Sequence, residues 1–113
     1  MPVRVLIVDD SKTVRNLVAF IMKKEGFKVT TAEDGLDGLE KLYSSGEVDL
    51  IISDVNMPRM DGFEVTNTLR HHTVYRDLPI IMITSRTGEK HRERAFSLGV
   101  THYMGKPFQE ADL

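Results

Sequence analysis

Five short apolar runs, each of strand length and each followed by residues of helical period, leave this chain little choice of architecture. The runs are Val3–Val8, Phe27–Ala32, Val48–Ser53, Pro79–Thr84 and Val100–Met104. Between them, Val14, Leu17, Val18, Ile21 and Met22 recur at helical spacing, as do Leu36, Leu39, Leu42 and Tyr43, and then Phe63, Val65 and Leu69. The segment Glu89–Leu98 reads as a charged helix with a thin apolar face. Breakers punctuate the pattern: Gly26, Asp34-Gly35, Ser44-Ser45-Gly46, the loop Asn56–Gly62 and Gly99. Asp10 or Ser11 is placed to cap the first helix. Alternating strands and helices imply parallel strands joined by right-handed crossovers, with helices on both faces of one sheet. The run Val3–Val8 is apolar and β-branched almost throughout, as a strand buried on both faces should be. Phe27–Ala32 is more polar and reads as an edge strand. Lys106-Pro107-Phe108 opens a fifth helix of which only Gln109–Leu113 is present, so residues 1–113 are expected to be one domain cut from a longer protein.

The charged residues at the strand ends are the chemistry. Asp9-Asp10 follows the first strand, Asp54 the third, and Lys106 the fifth. In an open parallel sheet the C-terminal ends of the strands lie on one edge, where ligands bind. Three carboxylates gathered there repel one another unless a cation sits among them, and hard oxygen ligands in that number suit Mg²⁺. The lysine adds a positive charge suited to an anion such as a phosphoryl group.

Composition removes other classes of function. A formal net charge of −2 gives no basic field for nucleic acid or an anionic membrane. There is no cysteine, hence no disulfide, thiolate metal site or cysteine nucleophile, and this fits a reducing cytoplasm. No apolar run approaches the roughly 20 residues of a membrane span. The start enters a strand at once, with no room for a signal peptide.

At these positions the chain resembles the receiver domains of two-component response regulators, over essentially its whole length. The resemblance is carried by Val8-Asp9-Asp10-Ser11, by Asp54-Val55-Asn56-Met57-Pro58-Arg59-Met60-Asp61-Gly62, by Ile83-Thr84, Gly99 and Tyr103, and by Lys106-Pro107-Phe108. Each piece alone is weak; their order and spacing together are specific. The resemblance implies a flavodoxin-like, doubly wound five-stranded sheet in the order 2-1-3-4-5. It implies that Asp54 accepts a phosphoryl group from a phosphohistidine of a histidine kinase or histidine phosphotransfer domain. Asp10, Asp54 and the Asn56 carbonyl would ligate Mg²⁺, or Mn²⁺ in its place, with Asp9 acting mostly through water. Lys106 and the Thr84 hydroxyl would bond phosphoryl oxygens, and Tyr103 would turn inward as the aromatic partner of Thr84. Asn56 and Arg86 would tune the phosphoryl lifetime, the bulky cationic Arg86 by lengthening it. The bond before Pro107 would be cis. The output would go to a downstream protein or fused domain through the fourth helix, fifth strand and fifth helix, with no direct nucleic-acid or membrane contact. The stretches Thr84–His91 and Gly105–Glu110 resemble receivers fused to chemotaxis-type histidine kinases. Such a domain phosphorylates and dephosphorylates itself and is an enzyme only in that sense.

Plainer readings exist for each residue. Asp9, Asp10 and Asp54 could be cap or turn carboxylates, Lys106 a solvated loop lysine, Thr84 a buried strand threonine, and Tyr103 a core aromatic. Asp61-Gly62 reads as a turn and helix start. His71, His72, His91 and His102 are scattered and read as surface residues, and the run Glu89–Arg94 alternates in sign as a solvated helix face does. Three other functions compete. A pseudo-receiver would keep the fold as a phosphorylation-independent interaction module. A flavin or nucleotide binder would need a glycine-rich loop where Asp9-Asp10 stands. A haloacid-dehalogenase-like phosphatase would need an acid where Lys12 stands.

Overall fold

The computed structural model describes residues 3–45, 47–85 and 88–106. The elements run β1 (Arg4–Val8), α1 (Lys12–Lys24), β2 (Lys28–Ala32), α2 (Gly35–Ser45), β3 (Leu50–Ser53), α3 (Gly62–Arg70), β4 (Ile80–Thr84), α4 (Glu89–Leu98) and β5 (His102–Gly105). All strand pairs are parallel and the sheet order is β2-β1-β3-β4-β5. The polar strand β2 does lie at an edge. Element types and the parallel sheet are those the residue spacing implies, and the strand order is the one the resemblance implies, with strand ends shifted by one or two residues. The third strand begins at Leu50 because Asp49 ties to Arg4 first: its N–H donates to the Arg4 carbonyl at 2.8 Å, and its Oδ2 accepts from the Arg4 N–H at 2.9 Å.

Side-chain alternation along the strands sorts the core into two layers. On one face Leu6, Val8, Ile51, Ile80, Met82 and Tyr103 meet Leu39 and Leu42 of α2, Phe63, Val65 and Leu69 of α3, and Ala95 of α4. On the other, Val5, Ile7, Ile52 and Ile83 meet Val18, Ala19, Ile21 and Met22 of α1. The expected fifth helix, with Pro107 and Phe108, lies outside the described residues.

Two details of the expected helix faces differ. Leu17 is 48% exposed while Ala19 is buried. The helix turns its small residue to the sheet, which lets Val18, Ile21 and Met22 approach closely, and Leu17 falls to the flank. Leu36 and Tyr43 likewise sit on the exposed side of α2, whose buried residues are Leu39, Leu42 and the glycines Gly35 and Gly38. Tyr43 instead joins an aromatic group with His72 and Tyr75, whose ring centroids lie 5.6 Å and 5.9 Å from it. His72 is therefore a half-buried surface residue with ring contacts on two sides. The thin-faced α4 buries only Ala95. It gains contact through Arg94, whose guanidinium stands 4.3 Å over the Phe63 ring.

Capping fixes where helices leave the functional edge. The Ser11 Oγ accepts from the Val14 N–H at 3.3 Å, and the Asp61 Oδ1 accepts from the Glu64 N–H at 2.9 Å. Such caps are worth about 1 kcal/mol each. At the far end of α4, Gly99 takes φ 102°, the left-handed turn that a side chain would strain.

Candidate functional site

The backbone delivers the charged residues to one edge by extending the strand ladders one step past each strand. Asp9 N–H donates to the Ala32 carbonyl at 3.1 Å, Asp54 N–H to Val8 at 2.9 Å, and Lys106 N–H to Thr84 at 2.8 Å. Each residue is thus held by the strand beside it, at the C-terminal edge where a parallel sheet opens.

There the side chains converge. Lys106 Nζ lies 3.2 Å from Asp9 Oδ2 and 3.4 Å from Asp54 Oδ2. One carboxylate oxygen from each of Asp9, Asp10 and Asp54 falls within 4.8 Å of the others. Asp9 and Asp54 are buried and Asp10 is exposed, so the cluster opens to solvent through Asp10. The other oxygens are already engaged. Asp9 Oδ1 accepts from the Ser11 N–H at 2.9 Å, and Asp54 Oδ1 accepts from the Val55 N–H at 2.7 Å. These bonds fix both carboxylates and aim their Oδ2 atoms at Lys106. Arg15 Nη1 donates to the Asp9 carbonyl at 2.7 Å and ties α1 to the same point. Asp9 thus both shapes the start of α1 and turns its second oxygen toward Lys106.

Burial pushes the Asp54 carboxyl above the ordinary aspartate range; Lys106 opposes the shift and the neighbouring Asp9 charge adds to it. A carboxylate held in this environment carries electrostatic cost that one ammonium does not remove. The donor set is all hard oxygen, clustered and under-neutralised, and it fits a divalent cation of the Mg²⁺ type.

Thr84 is fully buried at the end of β4, and Tyr103 is 6% exposed on β5. The register pairs Met82 with Tyr103 and Thr84 with Gly105, so Thr84 lies beside, and Tyr103 within, the strand that leads to Lys106. Tyr103 stands in the inward position and belongs to the core layer shared with α4. Asn56 is exposed in the loop after Asp54. Arg86 lies outside the described residues.

Two features of the site were not legible locally. Gly62 allows α3 to begin against the site: a Cβ there would fall 2.2 Å from the Asp54 carbonyl oxygen. Asp34, after β2, is buried and bound by Arg59. The sequence marked Asp34 only as part of the Asp34-Gly35 turn after the second strand, which gives no sign of its partner Arg59.

A doubly wound parallel sheet with three carboxylates and a lysine at its C-terminal edge defines a class of α/β domain whose charged site lies where such sheets bind ligands. Within that class the chain belongs to the response regulator receiver domain family, whose sequence profile matches residues 5–113. It is similar to Protein PilG of Pseudomonas aeruginosa, with 33% identity over 110 residues, 97% of this chain and 81% of that protein. It is also similar to the Sensor histidine kinase CheAY of Helicobacter pylori, at 36% identity over 105 residues, 92% of this chain and 13% of that protein. Among solved structures, the chemotaxis protein CheY4 of Vibrio cholerae superposes with a TM-score of 0.91 at 37% identity, covering 98% of this chain and 92% of that one. The chain is thus a receiver of the two-component type, related to chemotaxis receivers in sequence and fold. Among the described residues no helix is long and apolar enough to cross a membrane.

Proposed function

We propose that Asp54 is the phosphoacceptor, taking a phosphoryl group from a phosphohistidine of a histidine kinase or histidine phosphotransfer domain. The observation that carries this is the Lys106 ammonium set between Asp9 and Asp54, with Asp10 completing the acidic cluster those two carboxylates form. In the reaction an Asp54 oxygen forms a bond to phosphorus, the P–N bond breaks, and the imidazole nitrogen takes its electron pair. Charge spreads over the equatorial phosphoryl oxygens in the transition state, so positioning and positive charge matter most. Lys106 meets that charge. The Val55 N–H keeps the other Asp54 oxygen oriented.

Asp9, Asp10 and Asp54, with the Asn56 carbonyl, would hold Mg²⁺ or Mn²⁺. Bound there, the cation would offset the carboxylates and hold nucleophile and phosphoryl group together. The acyl phosphate adds nearly two negative charges beside Asp9 and Asp10. Thr84 and Tyr103 are the residues we assign to reading that change, since they link β4 and β5 to the site. Signal then passes to a downstream protein or fused domain through the α4–β5 surface. Arg86, two residues past Thr84, is assigned to slowing the attack of water on the acyl phosphate. We assign the reaction to the cytoplasm, where phosphohistidine donors and Mg²⁺ are supplied.

The test is NMR of the chain with Mg²⁺ and fluoroberyllate or acetyl phosphate, beside Asp54→Ala. Saturable shifts at Thr84, Tyr103 and Lys106, absent in the variant, are expected. No response in the wild-type chain at millimolar Mg²⁺ overturns the assignment and leaves a phosphorylation-independent interaction module.

A further inference from the structure

The loop from Asp54 to Gly62 joins β3 to α3 and carries Asn56, so its path decides where two of the assigned cation ligands stand. It is fastened away from the acidic cluster. Arg59 has φ 67° and is the only non-glycine in the left-handed region among the described residues. Glycine or asparagine would hold that conformation with less strain. Strain of this kind persists where the surroundings over-determine it, and it gathers at working sites.

What holds Arg59 is Asp34, in the turn between β2 and α2. The Arg59 Nε donates to Asp34 Oδ2 at 2.7 Å and Nη2 to Oδ1 at 2.9 Å, a bidentate pair across 25 residues. Asp34 is buried and also accepts from the Asp37 N–H at 2.9 Å. The guanidinium holds the Asp34 carboxyl below the usual carboxylate range. The backbones meet at the next residue: Gly35 N–H donates to the Met60 carbonyl at 3.2 Å, and a Cβ on Gly35 would come within 2.4 Å of that oxygen. The far end of the loop closes beside Asp54, where Gly62 N–H donates to the Val55 carbonyl at 2.9 Å.

We infer that Asp34 and Arg59 form a latch that positions the loop after Asp54, and that this latch sets the affinity of the acidic cluster for a divalent cation. Both are positioning residues, acting through the loop backbone on Asn56 and Asp54. The inference rests on the cation site assigned above. Charge and positioning predict opposite signs. Removing the Arg59 cation makes the neighbourhood more negative, which by Coulomb attraction alone would tighten Mg²⁺ binding. Loss of position would weaken it.

The test measures Mg²⁺ affinity by titrating the amide shifts of Asp10, Val55 and Asn56, without phosphodonor, in wild type, Arg59→Gly and the double variant Asp34→Asn/Arg59→Gly. Glycine accepts the left-handed backbone. The double variant leaves no buried unpaired charge and so protects the test against simple misfolding. Thermal unfolding of each variant runs in parallel. Binding about tenfold weaker is expected in both, the low end of what loss of supporting partners costs a metal site, with faster hydrogen exchange at Gly35 and Gly62. Arg59→Lys, which keeps the charge and loses the fork, should also bind more weakly than wild type. Affinity equal to wild type, or tighter as charge alone predicts, overturns the latch while leaving the cation site intact. A wild-type chain that fails to bind Mg²⁺ overturns the site assignment instead, and the latch's role in cation affinity with it.

Discussion

Replacing Asp54 by asparagine should make the cation-free protein more stable, because the structure keeps that carboxylate at a cost. Lys106 Nζ lies 3.4 Å from Asp54 Oδ2, an attraction of about 5 kcal/mol at an effective dielectric constant of roughly 20. The same ammonium is shared with Asp9 at 3.2 Å. The Asp9 carboxylate, with an oxygen within 4.8 Å, returns about 3.5 kcal/mol or more of repulsion on the same scale, and Asp10 adds a screened share. Charge interactions therefore nearly cancel. The lost hydration of a buried carboxylate remains, several kcal/mol by typical magnitudes. The raised Asp54 pKa, caused first by burial, has the same sign.

The amide side chain of the Asp54→Asn variant is isosteric with the carboxylate and keeps an oxygen for the Val55 N–H, so about 1–3 kcal/mol of stabilisation is expected in EDTA. That is about 4 °C in Tm per kcal/mol for a domain of this size. The effect depends on pH in a fixed direction. A folded-state pKa raised above 3.8 means the native protein holds the Asp54 proton more tightly than the unfolded chain. The wild-type deficit is therefore small near pH 3.8 and opens as pH rises through the raised pKa. Mg²⁺ at ten times its Kd should return about 1.4 kcal/mol to the wild type and less to the variant. Circular dichroism melts of both proteins, in EDTA and in Mg²⁺ across pH, make the measurement. An Asp54→Asn protein that melts at or below the wild-type temperature in EDTA at neutral pH refutes the reasoning.

Two further perturbations probe the scaffold. Gly62→Ala places a methyl 2.2 Å from the Asp54 carbonyl oxygen, so the start of α3 must move, at a cost of about 1–3 kcal/mol. The Mg²⁺-induced amide shifts at Val55 should shrink with it, and wild-type shifts in the variant would count against the close approach. Leu69→Ala removes a fully buried side chain at the centre of the α2–α4 layer and should cost about 2–5 kcal/mol in urea unfolding. Because that residue is remote from the charged edge, Mg²⁺ affinity should stay unchanged once folding is accounted for.

The periodicity of the sequence was enough for the element types and the parallel sheet, because strands buried on both faces and amphipathic helices write their burial into residue spacing. Ser11, Asp61 and Gly99 marked helix ends at the places where caps form. Leu17, Leu36 and Tyr43 misled, since an apolar residue on the flank of a helix keeps the period without being buried. Which of Leu17 and Ala19 faces the sheet depends on how closely the helix docks, and that is a property of the packed pair.

The site divides along the same line. That Asp9, Asp10, Asp54 and Lys106 share one edge was determined by sequence alone, because each follows an apolar strand and a parallel sheet brings such ends together. Their distances, the sharing of Lys106 between two carboxylates, and the raised pKa of Asp54 were decided by the tertiary structure. So was the pairing of Asp34 with Arg59, 25 residues apart. Local sequence fixes what each segment can bury and where it turns. Burial of charge and bidentate geometry arise only when distant segments meet, since both depend on what replaces water around the group.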